Sequence, residues 1–242
     1  MKQYAFFEDV YDVEEWLEEV EYSARMNGLR VNEAQLAEAE SIAVDYQEAE
    51  LINTIGAFYF EGNGVKQDQE RAVELYKLAT ELGYYQAASN LGYCYYYGNG
   101  TEKDMKKAVQ AFDKGEVLGS TECSIKLGDM YMNGEFVDQD ESWGAYLYLR
   151  VYDYLKNNIN IEDRGFQQSY SSLCLRLAKC YYECKGVKRD LREAEYLLAT
   201  AKYYYELREE WNDYYCKSGL KEACELQKTL IEEKAKVREG LN

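Results

Sequence analysis

The stretch IGAFYFEGNGVKQD, residues 55–68, returns as LGYCYYYGNGTEKD at 91–104 and as LGDMYMNGEFVDQD at 127–140, with a spacing of 36 residues. A fourth copy, LAKCYYECKGVKRD at 177–190, arrives 14 residues later than this spacing requires, so the third unit contains an insertion. Self-similarity at a period of about 30–40 residues is typical of stacked supersecondary units, because so short a unit cannot bury its apolar face alone. The period therefore predicts a repeat protein.

The aligned copies predict that each repeat is an antiparallel pair of helices. One position always holds a small residue, which lets two helices approach closely: Gly56, Gly92, Gly128 and Ala178. Glycines that follow it predict the end of the first helix, since glycine accepts the positive φ of a helix exit. In the third copy Phe136 stands where the second of these glycines is expected. Aspartates suited to N-cap the second helix recur at Asp68, Asp104, Asp140 and Asp190.

These residues carry a family resemblance. The pattern L-G-x-x-Y-x-x-G-x-G-V-x-x-D-x-x-K-A resembles the Sel1-like repeat, a relative of the tetratricopeptide repeat with longer loops. The resemblance implies an all-α fold, an α/α superhelical solenoid of four helix-turn-helix repeats, and a role as an adaptor or scaffold for other proteins. The expected repeats are 49–84, 85–120, 121–170 and 171–227, with an acidic N-terminal cap at 1–48 and a C-terminal cap at 228–242.

The resemblance also implies where a partner binds. In tetratricopeptide-like superhelices the first helix of each repeat lines the concave face, and the equivalent positions here form an aromatic, nearly neutral groove. We expect this groove to hold a helical or extended peptide. The expected partner-binding residues are Phe60, Tyr93, Tyr96, Asp129, Met132, Lys179 and Tyr182. The alternative for any single ring is packing against a neighbouring helix.

The inserted regions provide a second candidate surface. Residues 151–170 lengthen the third repeat and residues 202–215 lengthen the fourth, each by 14 residues. Fourteen residues make about four helical turns, so we expect longer helices with unchanged facing. The residues expected on this surface are Tyr204, Trp211 and Tyr214. The alternative is a local hydrophobic clasp between the two long hairpins.

The negative charge is concentrated at the N-terminal end. The chain has a net charge of −17, of which residues 1–50 contribute −11. Val13, Trp16, Leu17 and Val20 share one face of an expected amphipathic helix, with glutamates elsewhere. This acidic region is either a solvated cap or a patch for a basic partner. One alternative function is thus an acidic inhibitor or mimic, of phage or pathogen type, that blocks a basic nucleic-acid-binding protein. Direct nucleic-acid binding is disfavoured, since no Lys/Arg stripe is present.

The sequence gives little support for catalysis. Histidine is absent, which removes the commonest general base and a common metal ligand. The glycine-rich turns lack the terminal GK[ST] of a phosphate-binding loop and follow a helix instead of a strand. We therefore expect a non-catalytic protein with no cofactor and no metal.

The cysteines and the first residues predict a cytoplasmic protein. No apolar run of signal-peptide length precedes the acidic sequence, and no window approaches the length of a membrane span. Seven cysteines fit this setting as reduced thiols. Cys216 and Cys224, on either side of an expected turn at Gly219, are similar in placement to the disulfide pairs of secreted, cysteine-rich family members. A second alternative is therefore a cysteine-bridged, secreted relative.

Overall fold

The computed structural model of the chain describes residues 4–27, 30–62, 64–208 and 214–238. These residues form helices and include no strand, so the all-α prediction is confirmed. In chain order the helices are α1 (Val10–Asn27), α2 (Glu33–Tyr46), α3 (Ala49–Glu61), α4 (Gln69–Glu81), α5 (Tyr85–Tyr97), α6 (Met105–Val117), α7 (Thr121–Asn133), α8 (Glu141–Asn157), α9 (Arg164–Glu183), α10 (Leu191–Leu207) and α11 (Tyr214–Arg238).

The small residue of each repeat lies where its two helices meet. A Cβ atom added at Gly92 would stand 2.6 Å from Cδ1 and 2.8 Å from Cζ of Phe112. Real Cβ atoms essentially never come this close, so the aromatic ring of the second helix requires glycine on the first. The same contact recurs in the pairs Gly56–Tyr76, Gly92–Phe112 and Gly128–Tyr148. The prediction from the repeat alignment is therefore confirmed at atomic detail.

The turn inside each repeat also has the predicted geometry. The first helices end on residues with φ between 62° and 81°, which are Gly62, Gly98, Gly134 and Cys184. Each aspartate then caps the second helix: Asp68 Oδ1, for example, accepts the N–H of Arg71 at 2.9 Å. Equivalent bonds are made by Asp104, Asp140 and Asp190. The turn is thus set by local sequence, and Phe136 adopts a φ of 63° although its side chain is bulky.

The insertions lengthen helices, as expected. Helices α8 and α10 have 17 residues each and α9 has 20, against 13 in α3 to α7. The added turns pack through four rings that we name the aromatic clasp: Tyr152, Phe166, Tyr170 and Tyr204. Tyr170 stacks on Tyr152 at 5.7 Å and meets the edge of Tyr204 at 5.2 Å between ring centroids. The hydrophobic clasp between long hairpins is therefore present.

Helix α11 corrects one expectation at the C-terminal end. It continues through Gly219, where a turn was expected, and on through residues 228–238, the described part of the expected C-terminal cap. A glycine inside a helix costs about 1 kcal/mol relative to alanine. Here it is required, because an added Cβ would stand 2.5 Å from the hydroxyl oxygen and 2.7 Å from Cε1 of Tyr205 on α10.

The chain divides into two compact units, Met1–Cys123 and Ser124–Asn242. The core of the first unit includes Leu36, Ile52 and Ile55, and that of the second includes Leu173 and Leu197. Their charges differ strongly. Residues 1–123 hold 24 acidic and 10 basic residues, a balance of −14, whereas residues 124–242 hold 21 and 18, a balance of −3. The acidity of the protein therefore belongs to its first unit.

The segment before α1 is held against α2 by Glu38. The carboxylate of Glu38 accepts the backbone N–H groups of Ala5, Phe6 and Phe7 at 2.8, 2.6 and 3.0 Å. Next to them, the hydroxyl of Tyr4 donates to Asp45 at 2.7 Å, and this bond raises the pKa of Tyr4 to about 12. The N-terminal segment is thus anchored through its backbone as well as through the buried ring of Phe7.

Candidate functional site

In the first unit, the predicted aromatic residues of α3 and α5 lie partly exposed on the first helices. Phe60 is half-buried, with its ring centroid 6.3 Å from that of Tyr76. Tyr93 and Tyr96 are also half-buried, and both contact Tyr97, which is 63% exposed. Tyr97 was not among the predicted site residues, because it lies outside the repeat positions that the family resemblance assigns to the concave face.

Tyr93 is the centre of this part of the surface. Its ring stacks on Tyr97 at 6.1 Å with an interplanar angle of 13°, and it meets Phe112 edge-on at 5.2 Å. Its hydroxyl is hydrogen-bonded to Glu122 on α7. Burial and then the charge of Glu122 raise the pKa of Tyr93, so the hydroxyl stays protonated and donates. We name Tyr93, Tyr96, Tyr97 and Glu122 the Tyr93 patch.

Glu122 is exposed to solvent yet crowded by protein atoms. This crowding raises the pKa of its carboxyl, while hydrogen bonds from Tyr93 and Gln86 act in the opposite direction. Both of these hydrogen-bonding groups are uncharged. The carboxylate was missed at the sequence level because 45 acidic residues made any single one uninformative.

Lysines of the first unit lie over the tyrosine rings next to this patch. Lys103 Nζ is 5.8 Å from the ring centroid of Tyr96. Beside Tyr96 on the same helix, Tyr95 has Lys77 and Lys107 at 5.8 and 5.4 Å from its ring centroid. These distances are within the range of cation–π attraction. Two tyrosines of α5 thus already make cation–π contacts with lysine ammonium groups.

In the second unit, Asp129 is engaged in an ion pair and does not stand free for a partner. Arg176 on α9 donates Nε to Oδ1 at 2.6 Å and Nη2 to Oδ2 at 2.9 Å, and the hydroxyl of Tyr148 donates to Oδ1 at 2.5 Å. Burial alone would lower the pKa of Arg176, but the hydrogen bonds and charge of Asp129 raise it. Asp129 therefore joins three helices, and its predicted role in partner binding stays a prediction.

The other predicted residues of the second unit are also largely committed to packing. Met132 is buried in the core cluster, where its Cγ would stand 2.9 Å from a Cβ added at Gly144. Lys179 forms an ion pair with Glu222 of α11. Tyr182 remains half-exposed, with the guanidinium of Arg189 centred 5.6 Å from its ring. Met132 and Lys179 thus contact neighbouring helices, and the predicted partner-binding role of Tyr182 stays a prediction.

The second predicted surface is only partly present. Tyr204 is 7% exposed and belongs to the aromatic clasp, so the prediction that it faces a partner is wrong. The reason is that the lengthened helices turn its ring toward Phe166 and Tyr170. Trp211 lies outside the described residues. Tyr214 is 77% exposed and meets Tyr215 edge-on at 5.7 Å.

An exposed aromatic pair on α8 was not among the predicted site residues. Trp143 and Tyr146 are 44% and 49% exposed, and their rings stack at 5.0 Å. They lie on the second helix of a repeat, which the family resemblance did not mark as a binding face. The signal available was their spacing of three residues, which places both on one side of a helix.

The described cysteines form no disulfide. Cys94 and Cys180 are core residues, as expected, and burial raises their pKa values to about 11 and about 12. Cys216 and Cys224 lie on the single helix α11, where eight residues span about 12 Å along the axis. A disulfide requires Cα atoms within about 7 Å. The alternative of a bridge between them is therefore wrong for this fold.

Across residues 4–27, 30–62, 64–208 and 214–238, no group of three or more Cys, Asp or Glu side chains is placed to hold a metal ion. Within the same ranges, no helix has both the length and the hydropathy needed to cross a bilayer.

Comparisons with known proteins bear on the repeats. The Sel1 repeat family model matches residues 55–84, 86–110, 121–150 and 171–206. The crystal structure of a Sel1 repeat protein from Oxalobacter formigenes is similar with a TM-score of 0.60 at 19% identity, over 86% of this chain and 83% of that chain. A protective antigen present in uropathogenic Escherichia coli strains, displaying an SLR fold, gives a TM-score of 0.49 at 21% identity, over 91% of this chain and 57% of that chain. No curated protein matches the chain.

Proposed function

Because the chain belongs to the Sel1 repeat family, whose repeats generally mediate binding between proteins, we propose that it is a non-catalytic adaptor that binds a partner protein or peptide through the Tyr93 patch. The observation that carries this proposal is the stacked, partly exposed pair of Tyr93 and Tyr97 beside Tyr96. Tyrosines suit recognition surfaces, because they combine a wide contact area with a polar tip and few rotatable bonds.

The ring of Tyr93 is packed against neighbouring side chains before any partner arrives. Tyr93 is held from three sides, by Phe112, by Tyr97 and by its hydrogen bond to Glu122. A ring that is already ordered loses little conformational freedom on binding, so more of its contact energy is available to the complex. Phe60 occupies the position of Tyr96 in the first repeat, and we propose it as a supporting contact. Tyr182 occupies the same position in the second unit, where it stays a predicted partner contact of that unit.

The proposal is tested by partner capture followed by affinity measurement. Wild-type protein is used to capture proteins from the native host, and the partner is identified by mass spectrometry and purified. We expect the double variant Tyr96→Ala, Tyr97→Ala to raise the Kd by about tenfold or more, as truncation of interface tyrosines typically does. The control is Tyr46→Ala, which removes a 55% exposed tyrosine from α2 of the same unit. Equal affinity of all three proteins would contradict the proposal.

A second candidate function is supported by the acidic helix α1. Its apolar face is buried at Val13, Leu17 and Val20, whereas Glu14, Glu15, Glu18 and Glu19 are all exposed. Such a face suits a basic protein surface, which is the inhibitor or mimic alternative. A salt titration separates the two candidates. Affinity that falls steeply between about 50 and 500 mM salt indicates α1, and a weak salt response indicates the aromatic patch.

We also propose that the protein works in the reducing environment of the cytoplasm. The separation of Cys216 and Cys224 along α11 supports this, since the pairing suggested by secreted family members cannot form there. Thiol titration of the denatured, unreduced protein tests it, and seven reactive thiols are expected from the sequence.

A further inference from the structure

The four repeats differ from one another at one position of the first helix, which Tyr93 occupies in the second repeat. The position is occupied by Ala57, Tyr93, Asp129 and Lys179 in the four repeats. In the third and fourth repeats it carries a charge, and the following first helix supplies the opposite charge from Arg176 and Glu222. In the second repeat the following helix supplies Glu122, but the residue facing it is a tyrosine.

The carboxylate of Glu122 is therefore not neutralised in the way that its counterparts are. Tyr93 and Gln86 satisfy part of its hydrogen-bonding capacity, yet neither carries a charge. Among the contacts that the described residues make with Glu122, none comes from a basic side chain. A crowded carboxylate without a counter-ion gains free energy when a cation approaches.

The rings beside Glu122 are suited to the same cation. Tyr93 and Tyr97 form a nearly parallel pair in which Tyr97 is 63% exposed, and Lys103 already lies over Tyr96 within the same unit. A side chain that is charged at its tip and apolar along its stem can contact a ring and a carboxylate together. Lysine and arginine have this composition.

We propose that the Tyr93 patch takes a lysine or arginine side chain of a partner peptide, with its stem against Tyr93 and Tyr97 and its charge paired with Glu122. This inference rests on the proposed function and specifies its partner as a peptide segment with one basic residue among small or apolar neighbours. Tyr93 and Tyr97 supply contact area, and Glu122 selects the charge. A partner segment with an acidic residue at that place is rejected, because Glu122 repels it.

The probes are four peptides, N-acetylated and C-amidated, of the form Gly-Ser-Leu-X-Leu-Ser-Gly, in which X is Lys, Arg, Gln or Glu. Each is titrated into full-length 15N-labelled protein, and the amide shifts of Tyr93, Tyr97 and Glu122 are followed. The Lys and Arg peptides are expected to shift these resonances and to bind about five- to tenfold more tightly than the Gln peptide, as a partly exposed cation–π contact and ion pair provide. The Glu peptide is expected to bind most weakly.

Two variants distinguish a specific pairing from general acidity. Glu122→Gln is expected to remove the preference for Lys over Gln, whereas Glu14→Gln, which removes the same charge from exposed α1, is expected to keep it. An equal loss in both variants overturns the proposal, and so does equal binding of the Lys and Gln peptides or the absence of binding by all four. If partner capture depends on Tyr97 but not on Glu122, the adaptor function stands and this inference alone fails.

Discussion

The contact between Gly92 and Phe112 makes the substitution Gly92→Ala a direct test of how the repeats pack. Alanine has the higher helix propensity, which alone would stabilise α5 by up to about 1 kcal/mol. Its Cβ, however, would stand 2.6 and 2.8 Å from two ring atoms of Phe112, which is fully buried and rests edge-on against Tyr93. The ring has little room to withdraw, because it is fully buried and in contact with Tyr93. Overpacking of this kind costs about 1–3 kcal/mol.

We place the cost at the upper end of that range, because several atoms of one buried ring overlap the added methyl group. The net expectation is a loss of about 2 kcal/mol in the free energy of unfolding. For a chain of this length the melting temperature should fall by about 4–8 °C, measured by circular dichroism at 222 nm.

The fourth repeat supplies the compensating change. It has Ala178 at the small position and Leu198 in place of the ring, and both residues are buried in one core. We therefore expect Gly92→Ala to be neutral, or stabilising by up to about 1 kcal/mol, when it is introduced together with Phe112→Leu and compared with Phe112→Leu alone. An equal loss in both backgrounds would refute the reasoning, since the ring would then not be the cause.

Three further predictions concern the N-terminal segment, one turn and the cysteines. Desolvation opposes ionisation of Glu38, but its three backbone hydrogen bonds lower its pKa, so we expect its stabilising contribution to fade below about pH 4.3, where unfolded glutamate protonates. Glu38→Gln should remove this pH dependence in thermal melts recorded between pH 3 and 7. Cys184→Gly should stabilise by about 0.5–1 kcal/mol in urea unfolding, because Cys184 has a φ of 62°. Thiol titration of denatured, unreduced protein should count seven thiols, and five would indicate a disulfide.

The fold could be predicted from the sequence because its determinants are local and repeated. Asp68 caps the helix that begins one residue later, and Gly62 ends the helix that precedes it. Each interaction spans a few residues and recurs at a fixed spacing, so the alignment of the repeats contains the geometry. Even Phe136 follows its repeat position into positive φ, which shows that the chain context outweighs the preference of the residue.

The errors of prediction begin where the spacing is interrupted. The expected turn at Gly219 came from extending the repeat alignment past the second insertion, but the inserted residues lengthen α10 and shift the start of α11 to Tyr214. Gly219 then serves as a contact for Tyr205 and not as a helix exit. The insertion also turns Tyr204 into the aromatic clasp. A periodic alignment assigns the facing of residues only as long as the period holds.

The candidate site could be predicted only in part, because its exposed positions depend on contacts between residues far apart in sequence. Asp129 and Arg176 are separated by 47 residues, and nothing in either local sequence shows that they pair. Where such pairs form, as at Asp129 and Lys179, the charged side chain is bound by the next first helix, which reduces its hydrogen-bonding capacity for a partner. Tyr93 occupies that position without supplying a charge, and the neighbouring Glu122 is hydrogen-bonded by the uncharged Tyr93 and Gln86. We therefore expect recognition at the second repeat, where a tyrosine stands in place of the charged residue of the third and fourth repeats.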